Sequence, residues 1–354
     1  MRRALGLMSG TSMDGIDVAL VETNGRGRVV PGPALTVPYE PDFRERLRGV
    51  LGGKGPVAAV EEELTRLHAR AVAEFRARHP SGPIEIVGFH GHTILHRPAE
   101  HRTWQLGDGA LLARLLGIDI VADFRSADVA AGGEGAPLAP LYHAALAAAL
   151  EKPVAILNIG GVANVTWIGA GGAVIAFDTG PGNALIDDWA RRHTGRAADL
   201  DGALACMGRA SAAHVARFLE HPYFSRPPPK SLDRDDFRDA MPEGMSPPDG
   251  AATLTEMTAA AAAAALPHFP AMPRQWLVCG GGRHNPALTA ALARALAAPV
   301  RPVEAAGWDG DALEAQAFAY LAVRSLLGLP LSLPSTTGAP RPMRGGRLFR
   351  AGSG

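Results

Sequence analysis

Cysteine is almost missing. Cys206 and Cys279 stand among 354 residues with no CxxC spacing, so neither a disulfide framework nor a structural zinc site is expected, and a reducing cytoplasm fits. An excess of one charge is missing too, because 35 Lys and Arg balance 35 Asp and Glu. That balance removes the global case for nucleic acid or an anionic membrane as partner, and no dense basic run makes a local one. Residues 259–266 are too short and too bounded by Pro267 and His268 to span a bilayer. They read as part of a buried helix starting near Thr253. The apolar run after Arg2 and Arg3 breaks at Ser9-Gly10 without a small-residue cleavage pattern, so no secretory signal is expected. HExxH is absent although His90, His92, His96 and His101 crowd together. His90 and His92 are expected to alternate, so that both do not face one ion; a hydrogen-bonding role near a polar ligand is preferred to a metal site, with a plain structural role as the alternative.

With 47% hydrophobic and 20% charged residues, the chain reads as globular, and its length suits about two domains. The organising stretch is 4–22. An apolar run to Met8 meets a turn of Ser9, Gly10, Thr11, Ser12, Met13, Asp14 and Gly15, and a second apolar run with Ile16 and Asp17 follows. This pattern predicts strand, glycine-hydroxyl turn, strand. Backbone N–H groups in such a turn form a nest for an anion. Asp14 and Asp17 fit beside a phosphate if a divalent cation travels with it. An ordinary hairpin with a polar turn is the bland alternative. The turn is not a Walker A loop, because no Gly-Lys-Ser/Thr follows and it leads into a strand.

The plan repeats. Residues 154–159 predict a strand, Gly160-Gly161 a turn, and 162–168 a strand carrying Asn164 and Thr166. Two lobes, each opening with a β-hairpin whose turn faces a shared cleft, describe an α/β, two-lobed ATP-binding fold of the actin, hexokinase and Hsp70 type, with duplicated mixed sheets. The lobes are expected at 1–136 and 137–332, with 333–354 a tail partly disordered beyond Arg344, and a helix near 309–327 that can pack on the first lobe. A strand at 173–177 is expected to end at Asp178, before the turn Thr179-Gly180-Pro181-Gly182-Asn183 and a helix. A carboxylate there suits a base poised against water or a hydroxyl; turn capping is the alternative. Arg125, after the strand 119–122, is a candidate for gripping a carboxylate or phosphate. Its alternative is an ion pair with Asp123 or Asp128. Gly280-Gly281-Gly282 between strand and helix lets a purine or ribose lie against backbone. Glu314 stands near the start of the last helix beside its buried face, and the proline-stiffened loop 221–231 reads as a connection, lid or subunit contact.

Taken together, GLMSGTSMDGID (6–17), HGHTILHRP (90–98), QLGDGALLA (105–113), DFRSADVAAGGEGA (123–136), LNIGGVANVT (157–166), FDTGPGN (177–183) and EAQAFAY (314–320) resemble the anhydro-N-acetylmuramic acid kinases of bacterial cell-wall recycling. The resemblance covers nearly the whole length in order. It implies a cytoplasmic, homodimeric sugar kinase with the actin-like ATPase architecture, using ATP and Mg²⁺, with no dedicated protein metal site. The substrate's 1,6-anhydro ring has no free 6-hydroxyl. Water adds at the anomeric carbon, the bridge opens, and O6 takes the γ-phosphoryl group, giving N-acetylmuramate 6-phosphate and ADP. On that resemblance Asp178 matches the general base. Gly10 to Asp17 match the ATP-binding segment, joined by Gly160, Gly161, Asn164 and Gly280 to Gly282. His92, Arg125, Asn183 and Glu314 fall on the sugar side. The chain departs from the pattern at His92, where many relatives carry Gln, and after Lys230-Ser231, where Leu232-Asp233-Arg234-Asp235 replaces Thr-Gly-Arg-Glu.

Overall fold

The computed structural model describes residues 1–10, 12–80, 82–234 and 236–352. Among them the chain divides into two units, Met1–Ala148 with the chain from Ala312, and Ala149–Asp311. The sequence puts the boundary after 136; the chain crosses at 148–149 and returns at 311–312.

The first unit opens with β1 (Arg2–Ser9), β2 (Gly15–Thr23) and β3 (Val29–Pro38), joined as an antiparallel meander. β1 and β2 are apolar almost throughout and buried on both faces, as central strands require. β3 carries Pro31, Pro33 and Gly32, is largely exposed and forms the edge. The helix Val57–Arg78 then buries Val60, Leu64, Ala71, Val72 and Phe75 on one stripe and delivers the chain to β4 (Ile86–Arg97), parallel to β1. β5 (Arg102–Leu106) folds back on β4, and β6 (Ile120–Ala122) lies parallel to β4 on the side away from β1.

The second unit repeats this plan. β7 (Val154–Ile159), β8 (Val162–Ile168) and β9 (Val174–Pro181) form an antiparallel meander. β10 (Gln275–Cys279) lies parallel to β7, and β11 (Val300–Pro302) parallel to β10. The orders β6-β4-β1-β2-β3 and β11-β10-β7-β8-β9 are the same topology twice. The internal repeat read from two glycine hairpins is thus carried by the whole sheet, and the fold is α/β with two mixed sheets. The Pro247–Ala263 helix, capped by Ser246 accepting from Asp249 N, starts earlier than the expected Thr253.

After the second unit, the helix Leu313–Leu326 packs on the first sheet. Two glycines allow that approach. A Cβ at Gly6 would lie 1.7 Å from Ala315 O and one at Gly88 2.1 Å from Phe318 O, and the two glycines are register partners on β1 and β4. The tail, expected to be partly disordered beyond Arg344, instead forms β12 (Arg347–Phe349), antiparallel to β6. Its Phe349 ring packs against Gly109. Among the described residues no helix is long and apolar enough to cross a membrane.

Candidate active site

In each sheet the parallel strands end at one edge, where α/β folds place ligands. In the first unit that edge carries the turn after β1, the middle of β4 and the segment after β6. The β1–β2 turn closes through Met13 N donating to Gly10 O at 3.0 Å, with Met13 at φ 55°. Ser12 Oγ donates to Asp14 Oδ1 at 2.7 Å, and Thr36 Oγ1 to Asp17 Oδ1 at 2.6 Å. Asp14 is exposed and Asp17 half-buried, while Gly15 and Ile16 are buried in β2. Thr11, a sequence candidate in this turn, lies outside the described residues.

On β4 the register slips between Leu7/Phe89 and Ser9/His92, with Gly91 at φ 72°. Residues two apart on a regular strand share a face, so alternation alone would have kept His90 and His92 together. The bulge parts them. His90 stacks 4.4 Å from Phe318 of the last helix. His92 turns to the other face, fully buried, its Nδ1 3.0 Å from Ser9 Oγ, which also accepts from Tyr39 OH at 2.9 Å. His92 is thus a brace behind Ser9 at the start of the glycine turn. Burial pushes its pKa down to about 4.

Arg125 bonds to residues other than the two aspartates considered from the sequence. Its Nε donates to His90 Nε2 at 3.0 Å and its Nη1 to Gly135 O at 2.7 Å. Asp128 accepts instead from Gly135 N, Ser332 Oγ and Thr337 Oγ1. Glu314 sits exposed in the first turn of the Leu313–Leu326 helix. No group of three His, Cys, Asp or Glu that could hold a metal ion occurs among the described residues.

In the second unit three glycine turns meet at one edge: Gly160-Gly161 after β7, Gly180 to Gly182 on β9, and Gly280 to Gly282 after β10. The first two are stitched together, Gly182 N donating to Gly161 O at 2.9 Å and Asn183 N to Gly160 O at 2.7 Å. Asn183 Nδ2 also donates to Ile159 O at 3.3 Å. Some of these glycines answer to the chain itself. A Cβ at Gly182 would lie 2.3 Å from Gly160 O, and one at Gly280, which has φ +73°, 2.4 Å from Asn158 Oδ1. Others do not: at Gly10, Gly160, Gly161 and Gly281 a Cβ would meet no protein atom closer than 3.5 Å, and none of the four has the left-handed φ.

β9 runs past its expected end to Pro181, so Asp178 stays within the ladder, opposite Asn164 of β8, which in turn faces Asn158 of β7. Asp178 is 8% exposed. Its N donates to Lys230 O at 3.0 Å, its O accepts from Tyr223 OH, and its Oδ2 accepts from Leu232 N at 2.9 Å. Tyr223, Lys230 and Leu232 are the residues that sequence reasoning missed. The loop that carries them reads as a connection, yet it is the bed of the carboxylate, and its one sequence signal is a lysine enclosed by Pro227 to Pro229 and aromatic residues. Beside the turn after β10, Arg283 forks onto Asp311 and Glu304 and donates to Gly280 O at 3.1 Å.

A sequence model of the anhydro-N-acetylmuramic acid kinase family matches residues 2–351. The chain is 61% identical over 349 residues to an anhydro-N-acetylmuramic acid kinase of Paramagnetospirillum magneticum, covering 97% of this chain and 98% of the relative. It is 56% identical over 359 residues to one of Acidiphilium cryptum, covering 99% and 98%. Among solved structures, a xylulose kinase from Lactobacillus acidophilus aligns over 99% of this chain and 94% of its own at 10% identity and TM-score 0.47. With full-length relatives above half identity, the chain is a kinase and belongs to the anhydro-N-acetylmuramic acid kinase family.

Proposed function

We propose that the protein uses ATP to convert 1,6-anhydro-N-acetylmuramic acid to N-acetylmuramate 6-phosphate with hydrolytic opening of the anhydro ring, as a step of cell-wall recycling. The observation that carries this reading is Asp178, a carboxylate gripped at N, O and Oδ2 on a strand edge beside three glycine turns.

Asp178 takes a proton from water as that water's oxygen bonds to the anomeric carbon. The C1–O6 bond breaks, O6 bonds to the γ-phosphorus, and ADP leaves. The bonds at N and O fix the backbone of Asp178 and the Leu232 N–H holds Oδ2, which orients the carboxylate as a base aimed at one water requires. The open glycines support the nucleotide assignment. At Gly10, Gly160, Gly161 and Gly281 a Cβ would touch protein only at ordinary contact distance, 3.5 Å or more, so the chain itself does not demand glycine there, and a bare backbone suits the approach of phosphate, ribose or purine. Ser12, Met13, Asp14, Gly15, Ile16, Asp17, Asn164, Gly280 and Gly282 complete the nucleotide-side set.

Asp14 and Asp17 fit Mg²⁺, which is held by one or two carboxylates together with substrate phosphates and needs no all-protein cage. Bound there, it neutralises charge on the transferring phosphoryl group. Arg125 answers the lactyl carboxylate of muramic acid, with Asn183 and Glu314 for the sugar's polar groups and His92 acting through Ser9. A homodimer and a cytoplasmic location belong to the same reading. Two cysteines with no disulfide between them, Cys206 exposed and Cys279 buried, support the second.

The deciding experiment is product mass analysis in ¹⁸O-labelled water. One ¹⁸O at C1 of the phosphorylated sugar is expected, and a product without it would rule out hydrolytic opening. Asp178→Asn should lose at least about a thousandfold in kcat while still binding ATP by calorimetry.

A further inference from the structure

We propose that Lys230 is a positioning residue for Asp178, its buried ammonium locking the segment from Tyr223 to Leu232 that holds the carboxylate. This rests on the reading of Asp178 as the base.

Lys230 is 3% exposed. Its Nζ donates to Tyr223 O at 2.9 Å and Phe224 O at 3.3 Å, and lies 4.6 Å from the Tyr223 ring centroid and 5.6 Å from that of Phe177. Phe177 precedes Asp178 on β9; Tyr223 donates its hydroxyl to Asp178 O. The carbonyl of Lys230 receives Asp178 N, and two residues on Leu232 N reaches Oδ2. One side chain therefore ties together both ends of the segment that grips Asp178.

Burying an ammonium is unfavourable, and an apolar side chain in this aromatic nest would stabilise the fold more. The groups facing Nζ do not relieve that. Arg226 from the same loop and His268 from the Leu266–His268 turn are cationic or neutral, and the direct partners are carbonyls and ring faces. What the charge supplies is strong, directed bonds to two carbonyls and an attraction to two rings. Burial, and then Arg226, push the lysine down to about 8 from its ordinary 10.5. Between those values the unfolded chain holds a proton that the folded chain has released. Losing it above pH 8 therefore raises stability, while it weakens the bonds that fix the loop. A purely structural lysine and a positioning lysine thus give different pH signatures.

The test uses the full-length protein with 1,6-anhydro-N-acetylmuramate and ATP from pH 6.5 to 9.5, with thermal melts over the same range. In the wild type, kcat should fall through about pH 8 with no parallel loss of Tm. In Lys230→Met, kcat at pH 7 should drop about thirtyfold, KM for ATP should stay within twofold, Tm should hold, and the alkaline limb should vanish. Tyr223→Phe should lower kcat several-fold and keep the limb; it decides the matter if Lys230→Met does not fold. Wild-type kcat in the variants, or a limb that survives Lys230→Met, would overturn the assignment. Asp178→Asn run alongside separates the two failures. If it is inactive while Lys230→Met is normal, only the role of Lys230 falls; if it is active, the base itself falls.

Discussion

Arg125 Nε donates to His90 Nε2 across 3.0 Å, and that bond fixes the state of the histidine. Nε2 must accept, so the ring proton sits on Nδ1, which faces Gly91 O at 2.9 Å. Burial, and then the Arg125 charge, hold the pKa of His90 well below its ordinary 6.5. The neutral ring in turn orients the guanidinium, whose Nη1 is anchored on Gly135 O. Arg125 is thus a preset fork rather than a mobile surface cation.

That presetting predicts a specific kinetic defect. Arg125→Lys keeps the charge but loses the planar fork and the Nε bond. KM for 1,6-anhydro-N-acetylmuramate should rise about ten- to a hundredfold, with KM for ATP nearly unchanged. The lactyl carboxylate is the proposed partner, so the anhydro sugar of N-acetylglucosamine, which lacks it, should discriminate little between wild type and variant. An equal penalty on both sugars would remove Arg125 from carboxylate recognition.

His90 is one of four buried histidines in the first unit. Burial pushes His68, His92 and His143 down to about 4. A histidine with a depressed folded pKa contributes stability that is fully present above 6.5 and is lost as pH falls toward the folded value, because the unfolded chain binds the proton first. Each such group steepens the loss by about 1.4 kcal/mol per pH unit inside that window. Stability should therefore be nearly flat from pH 7 to 8 and fall steeply below 6.5, before most carboxylates titrate. Denaturant unfolding at pH 7.5, 6.5 and 5.5 checks this. His68, whose Nδ1 bonds Leu64 O of its own helix, is the group to remove: His68→Leu should flatten the slope by about one group's worth. An unchanged slope in that variant would show that His68 is not part of the effect.

Gly6 and Gly88 form the floor beneath Ala315, Phe318 and Ala319. The Leu313–Leu326 helix cannot stay where it is if either gains a methyl, because the methyl would fall within 2.1 Å of a backbone carbonyl oxygen. Gly6→Ala or Gly88→Ala should destabilise by about 3 kcal/mol, at the upper end for overpacking, since backbone rather than a side chain must move. Gly160→Ala, where the nearest protein atom would be 3.6 Å away, should leave Tm within about 2 °C. If the open glycines serve a nucleotide, that variant should instead raise KM for ATP. A matching loss of Tm would place the need for glycine in the fold.

These glycines show how much of the molecule was legible beforehand. Two glycine hairpins, each between apolar runs, were enough to read the duplicated sheets, because hairpin signals are local and strand periodicity is strong. Asp178 stood out for the same local reason, a carboxylate between an apolar run and a glycine turn. The bulge at Gly91 was not legible: a single glycine between two histidines does not announce a register slip, which depends on Ser9 in another strand. The bed under Asp178 was hidden for a related reason. Lys230 lies 52 residues along the chain from Asp178, and nothing in a Pro-Pro-Pro-Lys-Ser string states which strand it will lie against. The tail was misread because its order comes from partners far upstream in the sequence.

Asp128 is the clearest of those partners. It is 2% exposed, with Oδ1 accepting from Gly135 N at 2.8 Å and Oδ2 accepting from Thr337 Oγ1 at 2.7 Å and from Ser332 Oγ. All three of these donors are neutral. Asp128→Ala strands a buried N–H and two hydroxyls and should destabilise by about 3 kcal/mol. Asp128→Asn retains the acceptor for Gly135 N, and hydroxyls can rotate to accept from its amide, so its loss should be nearer 1 kcal/mol. Because the tail returns through β12 to β6, the alanine variant should also raise hydrogen exchange at Leu348 and Val121 while leaving β7 to β9 unaffected. Uniform deprotection of both units would mean that Asp128 supports the whole chain rather than the clasp of its C-terminal segment.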